Sequence, residues 1–222
     1  MIIHAPKRLL MLAALLCTTM PSLASEPMQP APPISCKKPE YPERAQKAEA
    51  EGITVLGFLV RADGTVRDTV VLSSTGSRDL DRAAELALSR CLFERVAKVD
   101  DAVDLWVRMV YVWHLTDDDY LLRAKHKTAV AAGNGNVAAR YHLSLLLSTT
   151  AKTDADREKA LVVLRSAAEL GHAHAQYDLG QRYEKGEGVT VDPDEALRWY
   201  RKSAAQDDPL AKQRLTLGIL GS

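Results

Sequence analysis

The segment AARYHL at 138–143 returns as HAQYDL at 174–179, thirty-six residues later. In that register Ala139, Tyr141 and Leu143 fall on Ala175, Tyr177 and Leu179, and Ala160-Leu161 falls on Ala196-Leu197. Arg165 and Ala168 fall likewise on Arg201 and Ala204. A further step carries Ala175 and Leu179 to Ala211 and Leu215; a step back carries Ala160, Ala168 and Gly171 to Ala124, Ala132 and Gly135. A period of this length is that of stacked helix–turn–helix units, which bury their apolar faces against one another. Alanine at the matched positions lets neighbouring helices approach closely. About two full repeats and two halves span 120–219, close to the minimum for a stacked core, so the array is expected to lean on the rest of the chain.

Before residue 117 the periodicity is different. YPERAQKAEAEG at 41–52 predicts a short helix closed by Gly52, with Pro42 in its first turn. Two strands follow around Asp63-Gly64, a hairpin signal, with Ile53, Val55, Gly57 and Leu59 on one face and Val66, Val70 and Leu72 continuing it. Leu80, Ala83, Ala84, Ala87, Leu88 and Cys91 form the stripe of a second helix. Leu105, Val107, Met109, Tyr111, Trp113 and Leu115 alternate as a third strand. The expected fold is α+β. A small antiparallel three-stranded sheet with two helices on one face is followed by an all-α helical-hairpin repeat array.

The amino terminus reads as an export signal over 1–24. Lys7 and Arg8 precede an apolar run from Leu9 to Met20, and Ser22 and Ala24 are the small residues before a cut after Ala24. An uncleaved anchor is the alternative, although the run is shorter than the roughly 20 residues of a spanning helix and Pro21 ends it. Residues 25–39 are a proline-rich linker, expected to be an extended spacer that does not pack, with about 45 Å of reach. Export leaves Cys36 and Cys91, which suggest one disulfide, with two unpaired thiols as the alternative. The units expected are therefore the signal, the linker, a domain at 40–116 and a repeat domain at 117–222.

Residues 39–95 resemble the TonB C-terminal domain. The resemblance rests on Tyr41-Pro42, Gly52 before the first strand, Asp63-Gly64 in the hairpin, Ser73-Ser74 with Gly76, and Leu80-Asp81 with Ala83-Ala84. It covers about 36–116. Family members often end the second helix with an aromatic residue and a proline; here Phe93 is followed by Glu94-Arg95. AQYDLGQRYEKGEGVTVDPDEALRWYRKSA at 175–204 resembles a Sel-one-like, tetratricopeptide-related repeat. The first resemblance implies that the last strand offers an open edge to a short segment of a partner such as an outer-membrane receptor, through main-chain pairing. Carried over, that edge is Leu105 to Leu115, with Trp106, Arg108, Val110 and Val112 as the outward, partner-binding set. A strand that is merely core, or that pairs with its own copy, is the competing reading.

No other motif carries chemistry. A formal charge of zero excludes a basic nucleic-acid binder. His172 and His174 fall at a helix-to-helix corner without a carboxylate or cysteine at ligand spacing, so no metal and no cofactor is expected. Ser73-Ser74 lacks a GxSxG setting, so no catalytic residue is assigned and the chain is not expected to be an enzyme. Asp117 to Asp119 reads as a solvated linker. KGEGV at 185–189 precedes a helix start, but no GK[ST] follows. Asp192 as cap, Pro193 in the first position and Glu195 completing a box already satisfy that terminus. The resulting expectation is a periplasmic adaptor for protein or peptide partners, touching the membrane only if the amino-terminal segment is retained. The alternatives are a TonB-type energy-transducing component of outer-membrane transport and, least favoured, an envelope-acting enzyme.

Overall fold

The computed structural model describes residues 33–93, 104–116 and 119–218; the signal segment lies outside them. The first unit runs β1 (Pro33–Ser35), α1 (Glu43–Lys47), β2 (Gly52–Val60), β3 (Val66–Ser73), α2 (Arg78–Leu88), β4 (Leu92–Phe93) and β5 (Leu105–Trp113). β2 lies at the centre of an antiparallel sheet, paired with β3 on one side and β5 on the other. The hairpin forms where expected. Asp63 accepts from the Thr65 amide, and Gly64 takes φ +86°, where a Cβ would stand 2.2 Å from the Phe93 carbonyl oxygen.

Two local expectations change. The first helix ends at Lys47 and the chain turns through Glu49 at φ 48°, so Gly52 opens β2 and does not close a helix; Pro42 stands at its N-cap. The end of the proline-rich stretch also packs. β1 pairs with β4, and Cys36 is bonded to Cys91 with their Cα atoms 4.4 Å apart. Without an amide hydrogen on proline the lead cannot enter a sheet interior, but a short, separate two-stranded ladder accommodates it.

Among the described residues the helices that follow are α3 (Tyr120–Gly133), α4 (Val137–Thr150), α5 (Asp154–Glu169), α6 (Ala173–Lys185), α7 (Pro193–Ala204) and α8 (Pro209–Leu217). Consecutive helices pack as hairpins. The thirty-six-residue register also recurs in the capping: Asn136, His172 and Asp208 cap α4, α6 and α8, each accepting from the amide three residues on. Between α6 and α7 the register slips. α5 starts at a capping box of Thr153 and Asp156, whereas α7 starts at Asp192, three residues later than the shift predicts. Gly186 and Gly188, at φ 72° and 77°, carry the longer corner. Asp192 and Pro193 act as expected, but Glu195 pairs with Arg198 and the Asp192 amide donates to the Tyr183 carbonyl, so that box is not closed.

The principal correction concerns the sheet. One face holds Leu56, Phe58, Val60, Val107 and Trp113 against Leu80, Ala84 and Leu88 of α2; the α2 stripe and the β5 set are those expected, but β2 turns the opposite parity to α2 from the expected Ile53, Val55, Gly57 and Leu59. The other is not open: Ile53 and Val55, with Leu72 and Val112, pack against Tyr141, Leu146, Leu164, Ala168 and Leu179 of the helical array. Trp106 and Leu72 also meet a third cluster of Tyr177, Ala196, Tyr200 and Leu210. Both faces of the sheet are therefore covered. The physical reason was present in β2, GITVLGFLV, which is apolar at nearly every position, as in strands buried on both sides.

Candidate functional site

Main-chain groups alternate along a strand, so those of Trp106, Arg108, Val110 and Val112 point away from β2. At Trp106 they are taken: its amide donates to Gln213 Oε1 at 2.6 Å and its carbonyl accepts from Gln213 Nε2 at 3.2 Å. Among the described residues, Arg108, Val110 and Val112 have no partner on that side. Alongside runs a groove of about 350 Å³, walled by Val110 from β5, Ser144, Leu145 and Ser148 from α4, and Gln181 and Lys185 from α6.

The four side chains expected to face outward do not form a solvent-facing row. Val112 lies against the Tyr141 cluster and Trp106 against Tyr177 and Tyr200. Val110 alone is substantially open, at 39% exposure. Gly57, opposite Arg108, leaves room for this arrangement, since a Cβ there would stand 3.1 Å from Val70 and 3.4 Å from the Trp106 ring. The cause is general: the side chains of an edge strand project to the sheet faces, and only its backbone faces the edge.

Arg108 ties the sheet to the array. Its Nη1 reaches the two carboxylate oxygens of Asp178 in α6 at 2.5 and 2.6 Å, and the Tyr141 hydroxyl donates to the same carboxylate at 2.9 Å. Burial pushes the Asp178 carboxyl upward, but the Arg108 charge, His174 and these hydrogen bonds more than offset it and hold it below the usual range. Burial and the adjacent carboxylate push the Tyr141 hydroxyl well up, so it remains a donor.

A second seam joins Ser73, at the end of β3, to His142 Nε2 at 2.8 Å and His172 Nε2 at 3.2 Å. His172 Nδ1 accepts from the Ala175 amide as the cap of α6, which places its proton on Nε2. The order follows: His172 Nε2–H donates to Ser73 Oγ, whose hydroxyl donates to His142 Nε2. Both imidazoles are thus neutral, and both pKa values are lowered to about 4, chiefly by burial and then by a neighbouring histidine. Ser74 and Thr54 bond Asp81, which also accepts from the Thr75 amide. His174 bonds Asp208 through Nδ1 at 2.8 Å. The two serines and the histidines at 142, 172 and 174 therefore join elements together, and among the described residues no group of three or more His, Cys, Asp or Glu side chains could hold a metal.

Asp178, Tyr141 and Gln213 are the contributors that sequence reasoning missed. The one signal for Asp178 was a charged residue immediately between the repeat-matched positions Tyr177 and Leu179, which are buried. Gln213 had no signal.

Comparison with known proteins agrees with the two-part organisation. Residues 37–115 match the family described as Gram-negative bacterial TonB protein C-terminal, and residues 137–172 and 173–208 each match the Sel1 repeat. The chain is similar to chitin synthase regulatory factor 3 of Schizosaccharomyces pombe, 45% identical over 65 residues, which are 29% of this chain and 7% of that protein. It is also similar to DAP3-binding cell death enhancer 1 of Rattus norvegicus, 36% identical over 85 residues, 38% of this chain and 16% of that one. The chain thus spans less than a fifth of either curated relative. Among solved structures, the Pseudomonas aeruginosa TonB CTD is 27% identical, covers 39% of this chain and 87% of its own, with a TM-score of 0.34. A Sel1 repeat protein from Oxalobacter formigenes is 32% identical, covering 42% of this chain and 41% of its own, with a TM-score of 0.35.

Proposed function

We propose that this chain, in which a TonB C-terminal domain precedes Sel1 repeats, is an envelope adaptor that binds an extended peptide segment of another protein. One observation carries the reading: three alternate residues of β5, Arg108, Val110 and Val112, present unpaired main-chain groups beside a groove. A strand added there gains main-chain hydrogen bonds, and the groove supplies side-chain selection. The repeat array forms the second wall of the site, so the two units at 40–116 and 117–222 act together. Both families are interaction modules, which supports a binding role over a catalytic one.

A photoreactive residue at Val110 tests this in envelope fractions. The expected result is a discrete adduct from position 110 and none from Leu122, which is 68% exposed. Equal labelling from both positions, or none from 110, refutes the edge as the binding surface.

Periplasmic release after cleavage at Ala24 is the proposed location. Among the described residues no helix is long and apolar enough to cross a membrane. An intact mass beginning at Ser25 supports release; a retained amino terminus supports the anchored, TonB-type transport component.

A further inference from the structure

One side-chain amide makes both hydrogen bonds that a residue of an added strand would make to Trp106. Gln213 Oε1 accepts from its N–H at 2.6 Å, and Gln213 Nε2 donates to its carbonyl at 3.2 Å. The two residues are 107 positions apart, and the contact joins the last described helix to the edge of the sheet. Gln213 is not loosely held. Asp208 caps α8 through the Ala211 amide while accepting from His174 at 2.8 Å, and Arg214 forks onto Glu184, which also accepts from the Tyr200 hydroxyl at 2.6 Å. These contacts fix α8 on both sides of Gln213.

We infer that Gln213 is a specificity-determining stop. It closes the β5 edge at Trp106, so that an incoming peptide pairs opposite Arg108, Val110 and Val112 only. This sets both the register and the length of the accepted segment: a short extended peptide recognised through its backbone, lying in the groove between β5 and α4–α6. It also shortens the exposed edge, which is how sheet proteins limit pairing with their own copies. The inference rests on the edge-pairing reading and adds the residue that bounds it.

The test is amide hydrogen exchange on the full chain, using a synthetic Glu-Thr-Val-Thr-Val-Thr-Glu peptide as the probe strand. Gln213→Met preserves side-chain length and helix propensity while removing the amide. In the free protein, the Trp106 amide is expected to exchange at least about 10-fold faster in Gln213→Met, the loss of one hydrogen-bonded protection worth ~1.4 kcal/mol. With peptide, the unsubstituted chain gains protection at the amides of Arg108, Val110 and Val112, and the variant gains it at Trp106 as well. Unchanged Trp106 exchange in free Gln213→Met overturns the stop, and so does peptide protection confined to 108–112 in both proteins. If the peptide protects no edge amide in either protein, the edge-pairing reading itself fails and the register claim falls with it. That result is distinguishable because Trp106 in the free variant would still report the Gln213 contact.

Discussion

Acid should loosen the seam between the sheet and the helices, and the magnitude can be worked from two histidines. His142 and His172 are neutral in the relay through Ser73, with pKa values of about 4 against an ordinary 6.5. Between those values the unfolded chain binds protons that the folded chain refuses. Stability is therefore full above about pH 6.5, falls as pH drops through that window, and levels off below about 4. At pH 5 one such histidine removes ~2 kcal/mol, and the pair, coupled through its shared hydroxyl, between ~2 and ~4 kcal/mol. Out of a typical total of ~5–15 kcal/mol this is large. Urea unfolding at pH 7 and pH 5 reads it directly. The decisive variant is His172→Asn, because Asn136 already caps α4 at the matching corner and the substitution keeps the cap while removing the titration. We expect this variant to unfold normally at pH 7 and to lose ~2 kcal/mol less than the parent at pH 5. An unchanged pH dependence in His172→Asn, or a parent equally stable at both pH values, refutes the reasoning.

Other outcomes follow from the same packing. Asp178→Asn leaves the Arg108 guanidinium without its counter-charge in the seam and should cost ~3–5 kcal/mol, whereas removing both partners as Arg108→Met with Asp178→Leu should recover most of that loss in a denaturant double-mutant cycle. Gly180→Ala should destabilise by ~1 kcal/mol despite better helix propensity, because its Cβ would stand 2.8 Å from the Tyr200 ring. The register-equivalent pair is Ser144 with Leu164, so Tyr200→Leu should relieve the clash, read as a coupling energy by thermal unfolding. Cys36→Ser with Cys91→Ser opens a closure of 55 residues and should cost ~4 kcal/mol on the chain-entropy account, visible as a lower Tm that reductant no longer changes.

Much of this architecture was legible in local chemistry. The thirty-six-residue register located the helical hairpins because stacked units must repeat the residues they bury, as Ala139 and Tyr141 recur at Ala175 and Tyr177. Asp63-Gly64 made the hairpin because a positive φ was required there, and the Cys36–Cys91 pairing was suggested by the two cysteines that remain if residues 1–24 are removed as a signal. The repeat register and the hairpin turn are local patterns, so sequence by itself determined them; the disulfide closes 55 residues, and the cysteine count only suggested it. What covers the second sheet face was decided only in three dimensions. Alternation shows that Ile53 and Val55 share a face, but Tyr141 and Leu179, which bury them, lie some 90 to 120 residues further along the chain. The same holds for the candidate site. Arg108 read as outward from its parity, yet its partner Asp178 is 70 residues away, and Trp106 is closed by a glutamine 107 residues away. Periodicity records which side of an element a residue occupies; the neighbour that fills that side is set by how the elements stack, and no local pattern contains it.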